Sequence, residues 1–373
     1  MKKILYIDPQ SGDNLAMYDY ELLSRINNDI TYICSKTYNY KELDSINQIP
    51  IFSYTKYRSN LLKGISYLAS LCKLCKIISK EKPEVIHIQW FRIPKIEYKL
   101  YNYLKKKYNF KLIHTVHNIL PHVNGDQKHN QYLNLYNLCD GLIVHTQTTA
   151  INLSKLFLIK ERKITIAPHG PLHYNFSNDE IQNEISKIKD EYNINAKYVI
   201  SMLGYQSLYK GTDLAIEAWR TSTFLVNNNQ FCFVIAGKNK DYKTDKTSED
   251  KNMIIINDRL SDLQFAALMK MSNLILLPYR KIDQSGVLLT IIDEGIPYCS
   301  TKVGELTKPF EFGDIGWTIS NINSEELKTL LENICENPHT LVEKQNNYKV
   351  WNQIRDYYSW DKAAEATNKL YNS

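Results

Sequence analysis

Residues 198–219 read YVISMLGYQSLYKGTDLAIEAW. The opening, Tyr198–Leu203, is a short and mostly apolar run of the kind that forms a strand buried on both faces of a parallel sheet. The end, Asp213–Trp219, sets its apolar side chains on one helical face. Between them lies Gly204-Tyr205-Gln206-Ser207-Leu208-Tyr209-Lys210-Gly211. It begins with a residue that can turn tightly because it lacks a Cβ, and it brings a lysine to a helix start. Strand, glycine-bearing turn and helix make one βα unit, and such turns hold anions. A lysine in a solvated turn is the ordinary alternative for Lys210.

Working outward, similar apolar runs recur with helical stretches between them. In the first half they are Ile4–Ile7, Ile30–Cys34, Ile49–Tyr54, Val85–Gln89, Leu112–Val116, Leu142–Thr146 and Ile164–Ala167. In the second half they are Tyr198–Leu203, Phe231–Ala236, Met253–Ile256, Leu274–Tyr279, Pro297–Ser300 and Trp317–Ile319. Alternation of strands with helices predicts α/β architecture with parallel sheets. The segment 171–195 opens with Pro, Asn and Ser and becomes a charged helix, so it reads as a connector. The pattern predicts two doubly wound, Rossmann-like lobes with a cleft between them: 1–172, a connector at 173–195, and a second lobe at 196–356. In such sheets ligands gather at the carboxyl ends of the strands.

The chain has 373 residues, enough for two domains, and its composition is that of a globular protein. No stretch reaches the roughly 18–20 apolar residues of a membrane span. The apolar run after Lys2-Lys3 ends at Asp8, too short for a signal-peptide core, which reads as a first strand and a cytoplasmic protein. The net charge of +6 is unevenly spread: residues 1–172 hold 24 Lys+Arg against 13 Asp+Glu, the remainder 22 against 27. Basic helices at Leu61–Lys80 and Ile93–Lys111, carrying Tyr and Leu among their lysines, suit an anionic membrane surface; solvated helix faces are the plain alternative. No recognition motif accompanies the charge, so nucleic acid is not a partner. Seven cysteines lie scattered; the one close pair, Cys72 and Cys75, has no second pair at zinc spacing, and all seven read as reduced core residues with no metal.

Two more loops in the second half follow the logic of the first. Pro278-Tyr279-Arg280-Lys281-Ile282-Asp283-Gln284-Ser285-Gly286-Val287-Leu288-Leu289-Thr290 takes a strand into a polar loop and then an apolar helix. Ser285 and Gly286 fall at the helix start, where free backbone N–H groups and a hydroxyl form an anion pocket, and Arg280 adds charge. Ser285 as a plain N-cap is the alternative. Gly295-Ile296-Pro297 then stops that helix, and Ser300-Thr301-Lys302-Val303-Gly304-Glu305-Leu306 ends the next strand.

Taken together, the pattern of these loops resembles the C-terminal lobe of family 4 glycosyltransferases, which have the two-lobed GT-B fold. Ala167-Pro168-His169-Gly170 and Tyr358-Ser359-Trp360-Asp361 are similar as well, so the resemblance spans nearly the whole chain. It implies a final helix, 357–373, crossing back to the first lobe. It implies a UDP- or GDP-sugar donor, with Lys210 on the diphosphate. Ser285, Gly286 and Val287 then line the phosphate and nucleoside pocket, and Asp258, Arg259 and Leu260 bracket the base. Gly204, Ser207, Arg280, Gln284 and Thr290 complete the donor-side set. The acceptor is a glycan or lipid-linked saccharide, the reaction retaining and free of a bound metal. This sequence departs from the family where Ser207 stands in place of a basic residue, and where Ile282 and Thr290 stand in place of two glutamates; Arg280 is the candidate replacement cation.

In the first half, Asp8-Pro9-Gln10-Ser11-Gly12 makes a turn after the first strand, with no dinucleotide fingerprint, and the resemblance places acceptor contacts there. His114-Thr115-Val116-His117-Asn118-Ile119-Leu120-Pro121-His122 ends a strand. Alternation puts His117 opposite His114 at the carboxyl end, available in either charge state near pH 7. His117 is the first candidate for a sugar contact or proton relay, with His122, His145 and His169 beside it. Two rival functions remain: a sugar-nucleotide epimerase of the same fold, and a non-catalytic binding subunit.

Overall fold

The computed structural model describes residues 1–12, 14–43, 46–121, 126–171, 176–242, 251–282 and 285–373. The chain divides into two compact units, Met1–Gly170 joined by Tyr358–Ser373, and Pro171–Tyr357.

The first unit holds seven parallel strands: β1 (Lys3–Ile7), β2 (Asp29–Ser35), β3 (Asn47–Phe52), β4 (Val85–Ile88), β5 (Lys111–Thr115), β6 (Gly141–Val144) and β7 (Ile164–Ile166). Their order is β3-β2-β1-β4-β5-β6-β7. Helices α1 (Asn14–Leu23), α2 (Asn60–Glu81), α3 (Pro94–Tyr108), α4 (His129–Leu138) and α5 (Gln147–Phe157) alternate with them. Strands β1, β4, β5 and β6 are buried almost throughout, as their unbroken apolar runs require. The core joins Ile86, Ile88, Leu112 and Leu142 of the sheet to Leu74, Leu135 and Leu153 of the helices.

The second unit opens on α6 (Asn178–Tyr192), which starts with a capping box between Ser177 and Glu180 and packs against a later helix of the same unit. Its strands are β8 (Tyr198–Leu203), β9 (Phe231–Ala236), β10 (Met253–Ile256), β11 (Leu274–Leu277), β12 (Tyr298–Thr301) and β13 (Gly316–Ile319), in the order β10-β9-β8-β11-β12-β13, all parallel. The helices between and after them are α7 (Thr212–Arg220), α8 (Thr223–Asn227), α9 (Asp262–Met271), α10 (Gly286–Glu294), α11 (Ser324–Glu336), α12 (His339–Gln345) and α13 (Tyr348–Tyr357).

The chain ends in α14 (Trp360–Asn372), which belongs to the first unit. Its carboxyl end is held by two ammonium groups, Lys2 on the carbonyl of Tyr371 at 2.8 Å and Lys111 on that of Leu370. Its amino end lays the Trp360 indole over Gly170, where a Cβ would come within 2.5 Å of the ring. Lys111 is therefore not the end of a basic helix, as its neighbours suggested. Helix α3 stops at Tyr108, Asn109 turns into the left-handed region, and Lys111 opens β5.

In both sheets the strand order reverses once, between β1 and β4 and between β8 and β11. A crevice opens at the carboxyl ends on either side of such a reversal.

Candidate functional site

In the second unit the loops leaving β8 and β11 meet at the reversal. Gly204 sits at φ +91°, and a Cβ there would come within 3.0 Å of the Lys210 ammonium. Gly211 sits at φ +74°, and its Cβ would strike the carbonyl of Pro278 at 2.1 Å. These two glycines let the loop fold back so that the lysine lies over the turn. Lys210 is only 9% exposed, and its Nζ sits 5.5 Å from the centre of the Tyr279 ring. Among the described residues no carboxylate pairs with it, and burial lowers its pKa from the usual lysine value. A buried ammonium without a counter-charge is costly, so the arrangement is ready for an anion.

Arg280 is not the free cation the sequence suggested. Its guanidinium forks onto Asp213 at the start of α7, with two bonds of 2.6 Å, and also donates to the carbonyl of Leu208. Its own N–H donates to the Tyr209 carbonyl at 2.7 Å. Arg280 thus pins the loop that carries Lys210. The physical reason is proximity: Asp213 offers a planar carboxylate in bidentate geometry.

Helix α10 begins beside this loop, its Val287 side chain 3.7 Å from the Cβ position of Gly204. Ser285 is buried and its hydroxyl accepts from the Leu288 N–H at 3.3 Å, an N-cap. The amides of Gly286 and Val287 have no intrahelical acceptor, and the space at Gly286 is open. Gly204, Lys210, Ser285, Gly286 and Val287 therefore come together. Thr290 is turned inward, its hydroxyl donating to the Gly286 carbonyl at 3.2 Å. Ser207 is fully buried, and its Oγ has no partner among the described residues. Arg259 and Leu260 lie in the loop between β10 and α9, Arg259 exposed. Gln284 lies outside the described residues.

In the first unit three of the singled-out histidines converge. His117, His145 and His169 follow β5, β6 and β7 and surround the Tyr18 ring of α1 at centroid distances of 5.1, 5.6 and 5.0 Å. Trp90 stacks on His117 at 4.6 Å, and Trp360 tilts against His169 at 4.9 Å. Burial pushes all three imidazoles down, His117 well below its usual range, His145 to about 4 and His169 to about 3, with neighbouring histidines adding to the effect on His117 and His169. They are neutral at pH 7, not poised between charge states, because desolvation outweighs any gain from protonation.

His145 Nδ1 donates to the Ala167 carbonyl at 2.9 Å, which leaves Nε2 as an acceptor. His117 bridges two partners, with Nε2 at 2.8 Å from Gln89 Oε1 and Nδ1 hydrogen-bonded to His145 Nε2 at 3.3 Å. His114 points elsewhere, between Phe91 and Tyr136, with Nδ1 on the Ile88 carbonyl. Gly12 accepts with its carbonyl from Leu15 and Ala16 at the start of α1. His122 lies outside the described residues.

Sequence reading missed Gln89, Trp90, Tyr18 and Asp213. Gln89 is fully buried and also donates to Thr115 Oγ1 at 3.1 Å. Its place directly after β4, at the strand reversal, was the available signal. Also unforeseen is Asp19, buried beneath the hydroxyls of Tyr6 and Tyr32 near Asp8; burial pushes Asp8 up to about 6 and raises Asp19 well above the usual carboxylate range. The cysteines divide: five are buried, Cys75 on α2 is half-buried and packs against the core, and Cys72 is exposed and so not a core residue.

Comparison with known proteins agrees with this geometry. Residues 22–170 match the family Glycosyltransferase Family 4. Over that stretch the chain is similar to the family 4 glycosyltransferases. A curated relative, the N-acetyl-alpha-D-glucosaminyl L-malate synthase of Bacillus anthracis, is 22% identical over 287 residues, covering 73% of this chain and 68% of its own. Among solved structures, Anabaena HepE in complex with UDP superposes with a TM-score of 0.69 at 13% identity over 99% of both chains. A glycosyltransferase from Rickettsia africae gives 0.66 at 16% identity, over 99% of this chain and 97% of that one. The fold is GT-B, two Rossmann-like sheet domains.

Proposed function

We propose that the chain transfers a sugar from a UDP- or GDP-sugar to a hydroxyl of a glycan or lipid-linked saccharide, with retention of anomeric configuration, without a bound metal, in surface polysaccharide synthesis. The observation that carries this is the buried, unpaired ammonium of Lys210 beside the amino end of α10. An ammonium and free backbone amides are what a departing diphosphate requires for charge neutralisation. The family match and the UDP complex of HepE support the donor class. In the first unit the neutral imidazole of His117, at the carboxyl end of β5, suits a sugar hydroxyl, whose proton it can take. The catalytic power of such a site lies in positioning and charge stabilisation, with no covalent intermediate. The excess of lysine in the first unit supports work at an anionic membrane on the cytoplasmic side, where lipid-linked acceptors are found. The test is a thermal-shift panel of nucleoside diphosphates and their sugars. A UDP or GDP compound should raise the melting temperature of the wild type but not of Lys210→Ala; if no nucleotide stabilises the wild type, the proposal fails.

A further inference from the structure

Helix α2 carries a stripe that its own unit leaves in solvent. One face packs Tyr67, Leu71, Leu74 and Ile78 into the core. The opposite face exposes Leu61, Leu62, Ile65 and Leu68, with Leu61 at 72% and Ile65 at 56%. Positions 61, 65 and 68 repeat at helical spacing and form one line. Further along the same face the apolar residues give way to exposed Lys73, Lys76 and Lys80. A cavity of about 470 Å³ between α2 and α3 is lined there by Lys76, Lys80, Ser79, Tyr103 and Lys107.

This face has almost no counter-charge. Helices α2 and α3 hold nine lysines and two glutamates. Both glutamates are engaged, Glu81 with Lys3 at 2.6 Å and Glu97 buried under the Tyr67 hydroxyl and the Ile93 N–H. A helix face that is apolar over its first turns, cationic over its last and free of acids is complementary to one kind of surface. An anionic bilayer offers apolar chains beneath a layer of phosphates. No helix of the described residues is long and apolar enough to cross a membrane, so the face would lie on the surface.

We propose that the exposed face of α2 docks the protein on an anionic membrane, with Leu61, Leu62, Ile65 and Leu68 entering the boundary between headgroups and acyl chains, and with Lys73, Lys76, Lys80 and Lys107 on lipid phosphates. This rests on the membrane-side reading above and adds that association is by insertion as well as by charge. The test is co-sedimentation with vesicles of phosphatidylcholine alone or mixed with phosphatidylglycerol. The variants are Leu61→Gln/Ile65→Gln/Leu68→Gln and Lys73→Gln/Lys76→Gln/Lys80→Gln, all at exposed positions. The wild type should bind the mixed vesicles and not the neutral ones, and each triple variant should bind at least about tenfold more weakly.

Three results would overturn the inference. The wild type could ignore anionic vesicles, or the apolar variant could bind them like wild type, so that charge alone acts. Alternatively the wild type could be a dimer in solution that the apolar variant dissociates, making the stripe an interface between copies. Nucleotide-induced stabilisation should be unchanged in both variants. If nucleotides fail to stabilise the wild type while vesicle binding behaves as expected, the transferase proposal falls and the docking surface stands.

Discussion

Replacing Lys210 by methionine should move folding stability and ligand binding in opposite directions. Methionine keeps the length of the buried stem and deletes the charge. In the free protein the ammonium is 9% exposed and has no acidic partner among the described residues. Relieving that desolvation should stabilise the ligand-free protein by about 1–2 kcal/mol, within the range for buried polar groups that lack partners. For a unit of this size that is a rise of roughly 2–8 °C in melting temperature. Binding of UDP or GDP should weaken by about 1.5–3 kcal/mol, the worth of a charge-assisted hydrogen bond, or about 10- to 150-fold in Kd. Scanning calorimetry with and without nucleotide reads both effects. The sign with pH follows from the lowered pKa. Between the folded-state value and the ordinary 10.5 the unfolded chain binds more protons, so wild-type stability rises with pH there. The advantage of Lys210→Met should therefore be full at neutral pH and shrink under alkaline conditions. A variant that melts lower than wild type yet binds nucleotide equally well would show that Lys210 is a structural residue, and the donor site would lose its centre.

The Arg280–Asp213 fork should act on donor binding indirectly. Arg280→Lys loses the planar geometry, and a double-mutant cycle with Asp213→Asn should show a coupling of no more than about 1 kcal/mol, because both side chains are partly exposed; a nucleotide affinity equal to wild type would remove the fork from the site. Gln89→Leu takes one buried hydrogen-bond partner each from His117 and Thr115 and should cost about 1–3 kcal/mol in urea unfolding. It should also shift the pH profile of transfer, whereas an unchanged profile would make Gln89 purely structural. Glu97 is buried and its carboxyl is pushed up to about 7, chiefly by desolvation. The folded protein then holds the proton more tightly than the unfolded chain, so stability should fall as pH rises from roughly 4.5 to 7. Glu97→Gln should flatten that slope in urea midpoints, even though it loses an acceptor for the Ile93 N–H.

The thirteen strands of the described residues were legible in the sequence: the central ones because a parallel strand buried on both faces must be a short apolar run, the edge strands β3 and β7 only by their place in the alternation with helices. The end of α3 was not. Lys105, Lys106 and Lys107 continue a plausible helix toward Lys111, and only the left-handed Asn109 and the pairing of β5 with β4 terminate it. Gly204, Lys210 and Ser285-Gly286 lie near one another because each is tied to the end of a strand. Where a cation finds its partner is a different kind of fact. The union of Arg280 with Asp213, 67 residues earlier, depends on β8 and β11 being neighbours. The neutrality of His117, His145 and His169 was hidden for the same reason. Each looks titratable alone, and only the convergence around Tyr18 and Trp360 removes the water that would support a charge.

The departures from the family pattern acquire a physical meaning in this arrangement. With Ile282 and Thr290 where glutamates are usual, the amino end of α10 carries no acidic residue in its first turn. The Thr290 hydroxyl gives its proton to the Gly286 carbonyl and has none to donate to a ligand. A carboxylate there would grip a ribose, but it would also partly neutralise Lys210. Without it the ammonium and the helix amides keep their full attraction for a diphosphate, while the hold on the nucleoside is reduced. Arg280 does not restore that hold, because its charge is already matched by Asp213. The balance of the site therefore rests on the diphosphate, and nucleoside diphosphates should stabilise the protein far more than nucleosides do, a ratio that the same calorimetric panel measures directly. Comparable stabilisation by uridine and UDP would place the recognition in the loop of Arg259 and Leu260 instead.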